Sequence, residues 1–506
     1  MHDDGVMRFF PRRPRLLIAA AAALLAAAAS AAVASAGRTA EAAEAAPPPN
    51  IVFVLTDDLA WNLVQFLPQV QRLQRDGVTF TNYTVTDSLC CPSRSSIFTG
   101  KFPHDTGVFT NGGADGGFGV FKGRGNEERT YATALRAQGY ATAMMGKYLN
   151  GYLPADTQGG ALPYVPPGWS EWDVAGNGYA EYNYDLNENH AVVHYGSTPA
   201  DYLTNVLARK GSSFIQRNAA ANTPFVLEVS TFAPHAPFTP APQDLDAFPG
   251  LTAPRTPAFD ALPAGAPTWL AGQDPLTAAE KTKIDTDFRK RAQSVQAVDR
   301  LIAKLRATLE DSGVADNTYF VFSSDNGFHL GEYRLAQGKQ TAFDTDVRVP
   351  LVIAGPAVPA GSTRTEIVQN IDLAPTFQRL AGGTVASDVN GRSIVPLLQG
   401  QPAANWRTAS LIEHHGPDAA ADDPDAQTAR DGRPTTYEAL RTASYTYVEY
   451  ADGEREYYDR LADPYQLNNV AAQLPAARRA ALHTALQRLR DCHTHEACWT
   501  AGHVTA

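Results

Sequence analysis

The chain has 506 residues, 44% hydrophobic and 19% charged, which excludes a disordered polypeptide and leaves room for a large buried core. Its formal net charge of −11 speaks against a general nucleic-acid binder, which would carry a basic patch or stripe, so nucleic acid is not expected among its partners. An anionic substrate would have to be met by a few cations gathered in one place against that overall field.

The chain opens on what reads as an export signal. Arg8, Arg12, Arg13 and Arg15 precede an Ala/Leu-rich run, and Ala34-Ser35-Ala36 fits a small-residue cleavage site. Residues 1–36 are therefore expected to be a signal peptide, with a retained membrane anchor as the alternative. The Arg12-Arg13 pair leaves a twin-arginine route open. The mature protein is expected to be secreted or periplasmic, without stable membrane association, because no other long apolar run follows. Residues 37–49, rich in Ala, Glu and Pro, read as a linker. In an oxidising compartment Cys492 and Cys498, close in sequence, are expected to form a small disulfide. Cys90 and Cys91 are neighbours, could bridge only under strain, and need another explanation.

Four continuous apolar runs have the pattern of strands buried on both faces of a sheet. Residues 51–55 end at Asp57-Asp58, residues 225–229 lead to His235, residues 319–322 end at Asp325-Asn326, and residues 351–353 end at Gly355. Before the third run, Thr277-x-x-Glu280 is a capping box. Ile284, Phe288, Ala292, Val295, Val298, Ile302, Leu305 and Leu309 then trace one apolar face of a long helix. Residues 239–275, with eight prolines, read as an irregular excursion on the substrate side. Residues 416–434, rich in Asp, Ala and Pro, read as an exposed loop, and residues 445–450 and 456–459 flank Asp452-Gly453 as a hairpin. The expected class is α/β: a large, mainly parallel sheet flanked by helices over 50–400, and a smaller C-terminal α+β part over 401–506 carrying an antiparallel sheet.

Ligands of open α/β sheets bind beyond the carboxyl ends of the strands. Asp57, Asp58, Asp325 and Asn326 fall there. Adjacent carboxylates repel, and a hard divalent cation, Ca²⁺ or Mg²⁺, relieves that repulsion; each pair taken alone could equally cap a turn. A second cluster is Cys90-Cys91-Pro92-Ser93-Arg94-Ser95-Ser96. Pro92 suits the first position of a helix, whose free N–H groups, with Arg94, would face an anion and lower the pKa of a thiol there. A buried or disulfide-bonded cysteine is the alternative.

Cys90-x-Pro92-x-Arg94, continued by Thr99-Gly100-Lys101, resembles the signature of the type I sulfatases. Asp57-Asp58, Gly146-Lys147-Tyr148, Pro234-His235-Ala236-Pro237, Ser324-Asp325-Asn326-Gly327, Lys339, Ile371-Asp372-Leu373-Ala374-Pro375-Thr376 and Asp463-Pro464 complete that likeness. The resemblance implies an alkaline-phosphatase-like fold. It implies that Cys90 is oxidised to 3-oxoalanine (Cα-formylglycine) by a formylglycine-generating enzyme. Ca²⁺, or Mg²⁺, would be held by Asp57, Asp58, Asp325, Asn326 and the residue at position 90. The hydrated aldehyde would attack sulfur, Arg94 would steady the diol and metal site, Lys147 and Lys339 would neutralise the sulfate, and His235 or Lys339 would protonate the departing alcohol. Outside that register both lysines would read as surface residues.

Within the family the likeness is greatest to the N-acetylglucosamine-6-sulfatases and heparan 6-O-endosulfatases, through Cys-Cys-Pro-Ser-Arg, Gly-Lys-Tyr-Leu-Asn at 146–150 and Asp-Asn-Gly-Phe-His-Leu-Gly at 325–331. Many arylsulfatases carry Gly-Lys-Trp-His, and Leu149-Asn150 replaces that histidine here. Asn150 and His329 are the candidate substrate contacts in its place, with a structural histidine as the alternative for His329. The implied activity is hydrolysis of a sulfate monoester of a sulfated amino sugar, other glycan or aryl compound. The rival readings are a phosphonate monoester hydrolase or phosphodiesterase of the same superfamily, a non-catalytic sulfated-glycan binding protein, and a hydrolase using unmodified Cys90.

Overall fold

In the computed structural model, which describes residues 47–417 and 423–505, the first apolar run becomes β1 (Asn50–Thr56), buried along its whole length. The strands that follow are β2 (Val78–Phe80), β3 (Tyr83–Thr84), β4 (Ala141–Lys147), β5 (Glu171–Ala175), β6 (Tyr184–Glu188) and β7 (Ala191–Tyr195). Then come β8 (Phe225–Ser230), β9 (Thr318–Ser324), β10 (Leu351–Ala354), β11 (Ser362–Arg364) and β12 (Val368–Gln369). Among the described residues ten of these form one sheet in the order β11-β2-β10-β9-β1-β8-β4-β5-β6-β7. Its central five, β9-β1-β8-β4-β5, are parallel, with Leu55 opposite both Ser230 and Ser323, so their carboxyl ends share one edge. The proposed signal segment and most of the linker, residues 1–46, lie outside the described residues.

The run at 351–353 is a strand, but it pairs antiparallel with β9. An unbroken apolar run reports burial on both faces and carries no direction. The reversal explains why its end at Gly355 contributes no chemistry: it points to the opposite edge.

Successive side chains of a strand point to opposite faces, and β1 feeds two cores accordingly. Ile51, Phe53 and Leu55 join Ile97, Phe98 and Phe377 on one side. Val52 and Val54 join Val295, Val298 and Ile302 of the helix Ala278–Asp311 on the other. Full burial of each such side chain stabilises by about 1.5–3 kcal/mol. That helix starts at the expected capping box, where the Thr277 side chain accepts from the Glu280 N–H and the Glu280 carboxylate accepts from the Thr277 N–H.

The C-terminal sheet is antiparallel, in the order β13 (Ala409–His414), β14 (Tyr437–Thr442), β15 (Tyr445–Tyr450), β16 (Arg455–Asp459), which includes the expected hairpin. Leu411, Leu440 and Tyr447 pack against Leu482, Leu486 and Leu489 of the helix Ala476–Arg490. Arg441 of β14 clamps Asp344 of the main body through two bonds of 2.7 and 3.0 Å. Cys492 and Cys498 form the expected disulfide.

His104 fastens the same two parts together. Its Nδ1 lies 2.9 Å from both carboxylate oxygens of Glu413 on β13, and its Nε2 lies 2.7 Å from the Cys492 carbonyl oxygen. Both partners are acceptors, so both nitrogens carry protons, and the grouping of His104, Asp105 and His493 has no free His104 nitrogen for a metal. Burial lowers the His104 pKa, but Glu413, then Asp105, overcome it and raise the pKa from 6.5 to about 9. Because the folded pKa is the higher one, this clip contributes its full stability below about pH 6.5 and loses it as pH climbs through about 9. Thermal unfolding of His104→Gln should therefore trail the wild type most at pH 6, by on the order of 3 kcal/mol, with the gap closing by pH 9 to 10. A gap independent of pH would refute the clip.

Candidate active site

The shared edge of the parallel strands collects the chemistry. Asp57 and Asp58 follow β1, Lys147 ends β4, His235 follows β8, and Asp325 and Asn326 follow β9. Each is at most 4% exposed. Asp58 adopts a left-handed φ of 64°, which turns the chain so that its N–H meets Asp325 Oδ1 at 3.2 Å. Gly146 has φ 99°, and a Cβ there would lie 2.0 Å from the Ser230 carbonyl oxygen, so only glycine lets β4 deliver Lys147 beside β8.

Cys90 is the first residue of the helix Cys90–Thr99, with Leu89 as its N-cap. Pro92 is therefore its third residue, not its first. The shift is tolerated because the first N–H groups of a helix have no partner inside it. Gly100, at φ 73°, closes the helix. The Cys90 Sγ lies 3.3 Å from Asp57 Oδ1 and 2.9 Å from Lys339 Nζ. The surroundings of the thiol oppose the pKa lowering expected from the helix N-terminus and Arg94. Burial, then the Asp425 and Asp57 carboxylates, push the pKa well above the ordinary range, outweighing Lys147 and Lys339.

The cations are interleaved with the carboxylates. Lys147 Nζ donates to Asp57 Oδ2 at 2.5 Å and Lys339 Nζ to Asp58 Oδ1 at 2.6 Å. Burial lowers both lysine pKa values, but Asp57 at Lys147 and Asp425 with Asp58 at Lys339 hold each well above the usual range. Arg94, fully buried, donates from Nε to Asp325 Oδ2 at 2.8 Å and from Nη1 to the Lys147 carbonyl at 2.9 Å. Burial raises the Asp325 pKa; Arg94 and the two lysines reverse this and lower it. His235 is raised, because Asp58, Asp425 and Asp57 outweigh its burial.

The oxygens fit a metal. Asn326 Nδ2 donates to Asp58 Oδ1 at 2.6 Å, and this leaves the buried Asn326 Oδ1 with no hydrogen-bond partner. Ligand atoms of Asp57, Asp58, Cys90 and His235 lie within 4.8 Å of one another. Three carboxylates and an orphaned amide oxygen are the donor set of a hard divalent cation.

Of the two residues weighed in place of the arylsulfatase histidine, Asn150 is half-buried beside Tyr179. Its Nδ2 is 3.5 Å from the Tyr179 hydroxyl, and Tyr179 lies 4.5 Å, ring to ring, from His235 and beneath Lys147. His329 is turned elsewhere: Nδ1 meets Asp346 at 3.0 Å and Nε2 meets the Asp431 carbonyl at 2.8 Å. Two further residues were not anticipated. Asp425, from the stretch read as an exposed loop, is buried, with its Oδ2 3.3 Å from Cys90 Sγ, and Asn111 Nδ2 donates to that oxygen at 2.8 Å. The loop expectation is corrected there: cations in the pocket draw in a carboxylate that composition alone assigns to solvent.

Comparison with known proteins agrees with this geometry. Residues 49–383 match the family described as sulfatase, and residues 331–492 match the C-terminal region of N-sulphoglucosamine sulphohydrolase. The N-acetylglucosamine-6-sulfatase of Homo sapiens is 34% identical over 480 residues, covering 90% of this chain and 86% of the relative. A solved structure described as a complex with its substrate D-glucosamine-2-N,6-O-disulfate superposes with a TM-score of 0.73 at 25% identity, over 87% of this chain and 97% of that one. The phosphonate monoester hydrolase of Agrobacterium radiobacter shares the fold, with a TM-score of 0.65 at 21% identity over 87% of this chain and 94% of its own. A family match spanning the strand tips, and a relative aligned along most of both lengths, show that this chain belongs to the sulfatase family and is a sulfuric ester hydrolase.

Proposed function

We propose that the chain is a formylglycine- and calcium-dependent sulfatase that removes sulfate from a sulfated amino sugar outside the cytoplasm. The observation that carries this is the position of Cys90: first in its helix, 3.3 Å from Asp57 and 2.9 Å from Lys339, amid the oxygens that suit a cation. Asp57, Asp58, Asp325, Asn326 and the residue at position 90 would hold Ca²⁺, with Mg²⁺ as the second candidate. When present, formylglycine supplies the attacking hydroxyl and calcium draws charge from the sulfate oxygens.

The remaining work falls to side chains. Lys147 and Lys339 carry positive charge in a buried setting, where charge developing on sulfate is stabilised more than it would be in water. Arg94 fixes Asp325 and the end of β4 at once. His235 Nδ1 lies 2.8 Å from the Ala236 carbonyl oxygen, which leaves Nε2 to pass a proton to the departing alcohol. Asn150, through its contact with Tyr179 beside His235, is the candidate sugar contact.

The amino-sugar assignment is supported by the name of the human relative and the ligand of the superposed complex. Export is supported by the N-terminal residues and by relatives named as extracellular sulfatases. Among the described residues no helix is long and apolar enough to cross a membrane. In this reading residues 1–36 are removed, 37–49 link, 50–400 carry the catalysis, and 401–506 form the C-terminal subdomain. Maturation would require a formylglycine-generating enzyme.

The test is turnover of N-acetylglucosamine 6-sulfate beside a matched phosphate ester, with and without chelator. Chelation should cut sulfate release by about 100-fold or more, and added Ca²⁺ should restore it. Full activity in excess chelator, or faster turnover of the phosphate ester, would defeat the proposal.

A further inference from the structure

The carboxylate of Asp425 lies where a substrate anion has to go. Its Oδ1 is 2.7 Å from His235 Nε2 and 2.9 Å from Lys339 Nζ. Its Oδ2 accepts from Asn111 Nδ2 at 2.8 Å and is 3.3 Å from Cys90 Sγ. Lys339 and His235 are the groups assigned above to sulfate and to its leaving oxygen. A sulfate placed against position 90 and a carboxylate 3.3 Å from that atom compete for one space, and two anions sharing Lys339 repel each other. His235 shows the conflict at a single atom. With Nδ1 committed to the Ala236 carbonyl, Nε2 is the nitrogen left for the departing alcohol, and Asp425 has taken it.

The strap that carries Asp425 is held by polar bonds. The Asp425 N–H donates to Asp423 Oδ1 at 3.0 Å, Gln340 Nε2 donates to the Asp425 carbonyl at 3.4 Å, and Gln427 Nε2 donates to the Lys339 carbonyl at 3.1 Å. Such bonds re-form with water when broken, so each is weak in net terms. Asn111 Nδ2 also donates to Asp423 Oδ1, at 3.2 Å.

We propose that Asp425 is an internal competitor for the sulfate pocket, an autoinhibitory carboxylate that substrate must displace and that returns when product leaves. This rests on the assignment of Lys339 and His235 to sulfate. A pocket that is open for only a fraction of the time binds every anion more weakly by that same fraction. The affinity for inorganic sulfate and the KM for a sulfate ester should therefore shift together when the carboxylate is removed. Product sulfate, lacking the sugar's contacts, is released rather than retained by a buried cluster of cations.

The experiment is calorimetric titration of inorganic sulfate into the calcium-supplied enzyme and its Asp425→Ala, Asp425→Asn and Lys339→Ala variants, with steady-state kinetics on a sulfate ester alongside. Asp425→Ala should bind sulfate at least tenfold more tightly, with KM falling by a similar factor and kcat unchanged or lower. Asp425→Asn keeps the size of the side chain and an acceptor for Asn111, so it should show the same direction even if the alanine variant folds poorly. If both Asp425 variants bind sulfate no better than wild type, the carboxylate supports the pocket rather than competing for it, and the proposal is overturned. If Lys339→Ala leaves sulfate affinity unchanged, the pocket assignment itself fails and the competitor proposal falls with it.

Discussion

Cys90→Ala should abolish sulfate release, a loss on the order of 10⁴-fold or more, while Cys91→Ala should keep most of it. The two neighbours face different worlds. Cys90 Sγ looks into the cation–carboxylate cluster, whereas Cys91 is packed in the apolar core with Val85, Ile97 and Phe98. Truncating Cys91 removes one buried sulfur and should cost about 1 kcal/mol of stability, with little effect on chemistry. Burial and the Asp425 and Asp57 carboxylates push the Cys90 thiol up. The peptide spanning Cys90 should lack one sulfur and two hydrogens and carry one extra oxygen relative to the genetic sequence. Fully active enzyme with an intact thiol at 90, or loss of activity on changing Cys91 alone, would reverse the assignment.

The strand tips were legible because each apolar run stops abruptly at polar residues that a buried strand could not hold: Asp57-Asp58 after β1 and Asp325-Asn326 after β9. The long helix was legible because its capping box and its apolar repeat agree. β4 was legible only through its Gly146-Lys147 motif, since Ala-Thr-Ala-Met-Met-Gly-Lys has a single β-branched residue and no alternation. The direction of β10 depends on what it pairs with, which no local pattern records. Asp425 was the least legible. It sits 335 residues from Cys90 in an Asp- and Pro-rich stretch that resembles solvent-exposed chain. Its burial is a property of the pocket's charge, not of its own neighbours: burial raises its pKa, while Lys339, then His235, bring it well below the usual carboxylate range. The pocket in turn exists only after four strands, a helix and Lys339 have come together.

Arg94→Ala should damage stability and activity together, by about 3–5 kcal/mol in the first and to near background in the second. The guanidinium is fully buried between Asp325 Oδ2 and the Lys147 carbonyl, so its removal leaves a carboxylate in a low-dielectric setting without its closest cation. The stability loss should be largest in chelator, where no divalent cation shares the compensation. Arg94→Lys should recover part of the stability but little activity, because one ammonium on a flexible stem cannot reach both acceptors in the geometry of the fork. The two effects separate in a double variant. Arg94→Met with Asp325→Asn removes both charges of the pair, so folding stability should return to within about 1–2 kcal/mol of wild type, as for other buried ion pairs replaced together. Sulfate release should stay lost, because Asp325 is one of the proposed cation ligands. Thermal unfolding and sulfate release, followed side by side on all four proteins, check this. Equal destabilisation in the single and double variants would mean that Arg94 acts through packing rather than charge. Substantial activity in the double variant would remove Asp325 from the site.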